Sequence, residues 1–463
     1  MPTKPSTLVA TVASLVLVLV TVSQGLASPA NLTHEYSLDN GLTLIVREDH
    51  RAPVVVSQLW YKVGSSYEYD GITGISHALE HMMFKGTEKF PEGAFDRIIS
   101  DNGGRNNAFT SQDYTAYYQE LEKSRLEISF ELEADRMRNL LLPPEEFAKE
   151  IRVVMEERRL RTEDNPRALT YERFNATAFT SSPARIPVIG WMDDLENMTV
   201  SDLREWYDRW YAPNNAILVV AGDVDPQAVY QLAKKHFGDI ATRDITPPKP
   251  RREIEQKGKR EIVVKTPAEL PYVILGYKAP SLLTAADEKD AYALAVLASI
   301  LDGGNSSRLA KKLVRGSEIA ANAGADYDLH GRGETLLSLA GTPAPGVSID
   351  TLRQALQKEI ELLQTHPVDK KELDRIKAQV VAEEIYQRDS LFFQAAQIGA
   401  LAAVGLDWRL TDQFVAKIKA ISAEDIQRVA KTYLSDERLT IAELEPLPLD
   451  PNSSRKPAAQ LRH

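Results

Sequence analysis

His77, Glu80 and His81 lie in the run Gly74-Ile-Ser-His-Ala-Leu-Glu-His-Met-Met-Phe84 and form an H-x-x-E-H triplet. On a helix, positions i, i+3 and i+4 share one face, so both imidazoles can reach a single ion while the carboxylate stands beside it. Neutral imidazoles suit zinc, and a site with three protein ligands keeps a position open for water. The chemistry implied is hydrolysis at a metal centre. The chain has 8 His in 463 residues. At that frequency the triplet arises by chance on the order of 0.01 times.

Two histidines do not complete such a site. The run Pro144-Glu-Glu-Phe-Ala-Lys-Glu-Ile-Arg-Val-Val-Met-Glu-Glu-Arg158 reads as a helix on which Glu150 and Glu157, seven apart, share a face. A glutamate-rich helix presents many such pairs to solvent. Spacing alone therefore leaves two readings open, a third metal ligand and a solvated face.

Around these residues the pattern predicts two strands in Tyr36–Val46 about an Asn40-Gly41 turn, and another strand over Val54–Val63. Helices are expected near residues 73–85, 93–101, 123–140 and 144–162. A buried strand, Ala216–Gly222, and a helix, Pro226–Phe237, close the first half. A proline-rich, then charged stretch over 243–261 reads as a linker. Beyond it, strands Tyr272–Tyr277, Thr335–Ala340 and Leu439–Leu444 and helices near 285–301, 349–365, 369–403 and 423–433 repeat the mixed pattern. The expected fold class is α+β, two duplicated halves, each burying its own core. The boundaries are 31–242 for the metal-bearing domain and 262–446 for a second, metal-free one. A Pro-, Ser- and Lys-containing tail over 447–463 is expected to be disordered.

Hydrophobic content of 43% and charged content of 26% are those of a globular protein. A net charge of −11 argues against general nucleic-acid binding. The absence of Cys excludes disulfides and thiolate ligands, leaving His and carboxylates to hold any metal. Residues 1–27 read as an export signal: Lys4, an apolar run over Leu8–Val22, then Gly25-Leu26-Ala27. An uncleaved anchor is the alternative, and no later segment is long and apolar enough to span a bilayer. An exported, Cys-free, acidic chain suits the periplasm of a Gram-negative bacterium.

The motifs resemble the pitrilysin or insulinase family of zinc peptidases, the inverted H-x-x-E-H class, and most of all its bacterial branch related to mitochondrial processing peptidase. In that family a ligand glutamate follows the second histidine by about 75 residues, with another functional glutamate seven before it. Here Glu157 lies 76 residues after His81 and Glu150 seven before Glu157. The resemblance also covers Leu38-Asp-Asn-Gly-Leu42, Gly103–Tyr117, Ile189-Gly-Trp-Met-Asp193, Trp210–Asn215 and Gly303–Leu309. It implies a fold of paired processing-peptidase repeats, one Zn2+ per chain on His77, His81 and Glu157, and Glu80 as general base. Glu150 is implied as an auxiliary catalytic residue that orients the site. Asn107, Ala108 and Phe109, within Asn106–Ser111, resemble the edge strand to which a peptide substrate adds. The implied function is zinc-dependent endopeptidase action on extended peptides or unfolded segments.

One departure bears on partners. Many relatives carry an arginine and a tyrosine in the second half that face the metal site. Here the tyrosine position is Ala321, and Tyr327 lies six residues on. This implies the zinc-bearing subunit of a heterodimer whose homologous, metal-free partner supplies both residues. A homodimeric precursor-processing peptidase is the next reading, and a non-catalytic peptide-binding or assembly subunit the third.

Overall fold

One pattern of strands and helices is laid down twice. The first half runs β1 (Thr33–Ser37), β2 (Thr43–Glu48), β3 (Val54–Tyr61), α1 (Ile75–Met82), α2 (Ala94–Asp101), β4 (Arg105–Thr110) and β5 (Thr115–Glu122). Five helices follow, α3 (Leu126–Asn139), α4 (Pro144–Arg158), α5 (Pro166–Ala178), α6 (Met192–Asn197) and α7 (Val200–Trp210), then β6 (Ala216–Gly222) and α8 (Pro226–Phe237). The second half runs β7 (Arg260–Pro267), β8 (Tyr272–Ala279), α9 (Glu288–Asp302), β9 (Ala320–Tyr327) and β10 (Thr335–Pro343). Again five helices follow, α10 (Ile349–Thr365), α11 (Lys370–Gln387), α12 (Leu391–Val404), α13 (Leu410–Ala420) and α14 (Ala423–Tyr433), before β11 (Leu439–Leu447). This computed structural model describes residues 32–249 and 251–449. The expected export signal and tail residues 450–463 lie outside them. The described residues from Thr33 on form one compact unit.

The sheets make the duplication explicit. Sheet order is β1-β2-β6-β3-β5-β4 in the first half and β7-β11-β8-β10-β9 in the second. The parallel pair β2/β6 corresponds to β7/β11, and the antiparallel runs β6-β3-β5-β4 and β11-β8-β10-β9 correspond strand for strand. Both halves therefore end in an equivalent edge strand, β4 and β9. Capping boxes recur at equivalent helices too, Thr199 with Asp202 on α7 and Ser422 with Asp425 on α14.

Each sheet buries one face under helices of its own half. The other face is covered by a helix from the opposite half. α12 lays Ala395, Ile398 and Ala403 on Ile45, Val56, Trp60, Ile217 and Val219 of the first sheet. α5 lays Phe174 and Ala178 on Ile274, Leu336 and Ala442 of the second. The two are topological equivalents, so the exchange is reciprocal. Glycine marks both contacts: a Cβ at Gly399 would stand 2.2 Å from the Trp60 ring, and one at Gly276 would stand 2.4 Å from Phe174. α12 reads Leu-Phe-Phe-Gln-Ala-Ala-Gln-Ile-Gly-Ala-Leu-Ala-Ala-Val, apolar nearly all round.

Each half buries a core of its own, and two smaller clusters are added where each sheet takes the opposite half's helix. Two expectations need correction. The helix expected over 369–403 is two, broken at Arg388–Ser390, where the Ser390 hydroxyl caps α12 by accepting from the Phe393 amide at 3.3 Å. The stretch 243–261 is no free spacer. Glu253 is buried against Lys278 at 2.6 Å and accepts from the amides of Thr180, Ser181 and Ser182 at 2.9 to 3.0 Å. β7 also starts at Arg260, two residues inside the expected linker, and β11 runs one residue past the expected end.

The exchange predicts a displaced effect. Phe174→Ala, although in the first half, opens a cavity under the second sheet and lowers stability by about 3–5 kcal/mol. Hydrogen exchange should quicken at β8 and β11; a change confined to first-half strands contradicts the exchange.

Candidate metal centre

The metal motif sits on α1, whose position is set at its first turn. Gly74 precedes it at φ 87, with the Ile189 carbonyl where a Cβ would lie at 2.6 Å. That conformation and that approach both require glycine. The buried Glu68 carboxylate accepts from the amides of Gly74 and Ser76 at 2.7 and 2.9 Å, filling the helix N-terminus. Burial raises the Glu68 pKa to about 7, although these amide bonds pull it down. The Ile189–Asp193 motif packs here as well, with the Trp191 amide donating to the Thr73 hydroxyl at 2.9 Å.

α4 crosses α1 and brings its glutamates to the histidines. Glu157 Oε2 lies 3.8 Å from His77 Nε2 and 3.5 Å from His81 Nε2. Zinc with ligand bonds of about 2.0–2.2 Å at tetrahedral angles separates its ligand atoms by roughly 3.3–3.6 Å. One atom from each of His77, His81 and Glu157 lies within 4.8 Å of the others, so the donor set and its spacing fit such an ion. The Glu157 side chain is 1% exposed and His81's 6%. A buried carboxylate facing two imidazoles is what metal coordination needs and what a solvated helix face would not produce.

Glu150 is placed one shell out. Its Oε2 lies 3.3 Å from His81 Nδ1, the ring nitrogen turned away from Glu157, and its Oε1 lies 2.6 Å from Lys85 Nζ. A carboxylate on the second nitrogen of a ligating histidine fixes the ring's orientation. Arg161 closes the other side, with Nη1 2.6 Å from Glu157 Oε1. Arg161 and Lys85 were not singled out from sequence. The signal for both is i+4 spacing, from Glu157 and His81 respectively. Arg161 stands in a π turn, Arg159–Glu163, that continues α4.

Glu80 points elsewhere, to the edge strand. Its Oε2 accepts from the Thr110 hydroxyl at 2.5 Å. Burial raises its pKa, opposed by the Thr110 bond and the nearby His81. β4 is the outermost strand, so its free edge carries backbone groups available to another strand. Of the three expected substrate residues, Ala108 packs on the helix-bearing face of the sheet with the metal site. Phe109 packs on the opposite face, its ring 5.4 Å from Trp60. Asn107, by strand alternation, shares the Phe109 side, and its Oδ1 accepts from the Ala108 amide at 2.8 Å. Of these three side chains only that of Ala108 lies on the metal side. Thr110 lies within the Gly103–Tyr117 motif, and no local pattern marks its bond to Glu80.

The electrostatics carry a consequence for metal binding. Burial disfavours charged His81, yet Glu150 and Glu157 outweigh it and hold its pKa up at about 9. Glu157, despite its own burial, is held down at about 2 by His81, His77 and Arg161. At neutral pH the metal-free site therefore carries a proton on His81 that an ion must displace. Zinc affinity should fall about tenfold per pH unit between roughly pH 8 and pH 6. Chelator competition at several pH values measures it, and a flat profile contradicts the protonated site.

The sequence profile of the insulinase family, peptidase family M16, matches residues 43–190, and that of the peptidase M16 inactive domain matches residues 197–380. The chain is 34% identical over 436 residues to the zinc protease PqqE of Helicobacter pylori, covering 93% of this chain and 97% of that protein. The crystal structure of a protease from Helicobacter pylori superposes with a TM-score of 0.85 at 33% identity, over 89% of this chain and 99% of that one. The first half of the periplasmic protease PqqL from Escherichia coli shares the fold with a TM-score of 0.74 at 20% identity, over 91% of this chain and 94% of that one. With a relative matched across nearly its whole length and both domain profiles present, this chain belongs to the insulinase family of peptidases, family M16.

Proposed function

We propose that the chain is a zinc-dependent endopeptidase acting on extended peptides or unfolded segments. One observation carries the reading: the Thr110 hydroxyl of edge strand β4 holds the Glu80 carboxylate on the same helix as the two histidines and within one turn of both. A peptide added to β4 thereby runs past the group that would move its proton. His77, His81 and Glu157 would hold the ion, and zinc bound there polarises a carbonyl and makes a water acidic. Glu80 takes the proton from the attacking water and returns it to the leaving amide nitrogen. Its raised pKa brings proton acceptance nearer neutral pH. Glu150 keeps the His81 ring turned toward Glu157. Strand addition reads extended backbone rather than side chains, which suits many sequences and excludes folded proteins.

The reading extends to a partner. Ala321 lies on β9, and the Tyr327 hydroxyl donates to the Pro280 carbonyl of its own half at 2.5 Å. Tyr327 is thus engaged within its own half, which favours the zinc-bearing subunit of a heterodimer over a self-sufficient chain. A homodimer is the next arrangement. Export to a periplasm rests on the signal-like residues 1–27. Among the described residues no helix is long and apolar enough to cross a membrane.

Glu80→Gln should retain one zinc per chain and lower hydrolysis of a quenched peptide library by at least about 100-fold. His81→Ala should lose both metal and hydrolysis. Full hydrolysis by Glu80→Gln removes it as the base. Full turnover by the purified wild-type chain alone removes the required partner.

A further inference from the structure

Among the described residues the second half adds none to the candidate metal group, yet one of its side chains reaches both segments that set the metal site. Arg332 lies on the connection between β9 and β10. Its backbone amide donates to Asp113 Oδ2 at 3.1 Å, its Nε lies 3.4 Å from Asp113 Oδ1, and its Nη2 donates to Ser66 Oγ at 2.8 Å. The guanidinium stands 4.1 Å over the Tyr67 ring. Ser66 Oγ in turn donates to Asp113 Oδ1 at 2.8 Å.

The two segments are also joined to each other. The amides of Ser65 and Ser66 donate to the carbonyls of Ser111 and Gln112 at 3.2 and 2.7 Å. Gly64 lies so close to the Ser111 carbonyl that a Cβ would stand 2.3 Å away. Both lead directly into the site. Residues 65–67 continue into Glu68, which caps α1. The turn Ser111–Tyr114 follows Thr110, which holds Glu80. Arg332 thus binds the loop before the metal helix and the turn after the substrate edge into one body.

We propose that Arg332 is a positioning residue for peptide hydrolysis, contributed by the metal-free half. It sets the distance between the Thr110 hydroxyl on β4 and the Glu80 carboxylate on α1 by locking the Ser111–Tyr114 turn against residues 65–68. The Asp113 side chain is 12% exposed. Removing the guanidinium leaves its charge in a poorly hydrated place, so the turn moves toward solvent.

The inference rests on the peptidase reading for its catalytic consequence but not for the lock itself. The test uses zinc-loaded full chain with Arg332→Ala and Arg332→Lys, assayed on a quenched extended peptide and by hydrogen exchange without substrate. Arg332→Ala should quicken exchange at 65–68 and 111–114. It should lower kcat roughly 10- to 100-fold with KM changed less than about twofold, zinc content staying that of wild type and the chain remaining fully folded at the assay temperature despite a modestly lower thermal midpoint. Arg332→Lys should restore part of kcat. Unchanged exchange at both segments overturns the lock whether or not the chain cleaves peptides. Faster exchange with unchanged kcat overturns the positioning role, as does a kcat loss that only tracks lost zinc or the fraction of chain unfolded at the assay temperature. A wild-type chain that cleaves nothing refutes the peptidase reading and the positioning role together, while exchange still decides the lock.

Discussion

A sheet has two faces, and in this protein neither half can cover both of its own. The remaining face of each is sealed by α5 or α12 from the other half, with Phe174 against Gly276 and Trp60 against Gly399. This constraint makes one folding unit of two repeats. It also reaches the metal site, because α4, which carries Glu150 and Glu157, runs through a π turn straight into α5. A buried ion pair, Arg158 with Glu172 at 2.7 Å, joins the last turn of α4 to α5. Glu157, the candidate ligand in the last turn of α4, is therefore tied to the sheet of the opposite half through the seven residues that join α4 to α5.

Against that frame the site solves an electrostatic problem. Three carboxylates, Glu80, Glu150 and Glu157, crowd two imidazoles in a poorly hydrated place. Lys85 and Arg161 offset two of them from the rim, and the Thr110 hydroxyl serves the third. The carboxylates separate in character as a result. Glu150 is held near 2, chiefly by its hydrogen bond to His81, whereas burial pushes Glu80 up. Ligand support and proton transfer call for these opposite tendencies.

The repeats have kept topology and divided labour. β4 and β9 are equivalent edges, but β9 is a run of small residues, Ala-Ala-Asn-Ala-Gly-Ala, and α9 carries no histidine. What the second half returns to the first is mechanical: the lid helix α12, the Lys278 anchor for the linker carboxylate Glu253, and the Arg332 contact at Asp113.

Much of this was legible in the chain. The triplet His77, Glu80, His81 declares its geometry because helical period is local, and the elements Ala216–Gly222, Pro226–Phe237 and Ile349–Thr365 fall where their patterns put them. Glu150 and Glu157 marked the right helix, but spacing alone could not tell ligand from solvated face. Their aim follows from how α4 crosses α1, a contact between residues some 70 apart. The break at Arg388–Ser390 and the exchange of α5 and α12 were hidden for a related reason. An apolar helix face reads the same whether it covers its own sheet or a distant one, so sequence determined which surfaces must be buried, and only long-range complementarity decided which sheet buries them. Thr110 and Arg332 belong to the same class, polar side chains whose partners lie 30 and 219 or more residues away and which no local pattern marks.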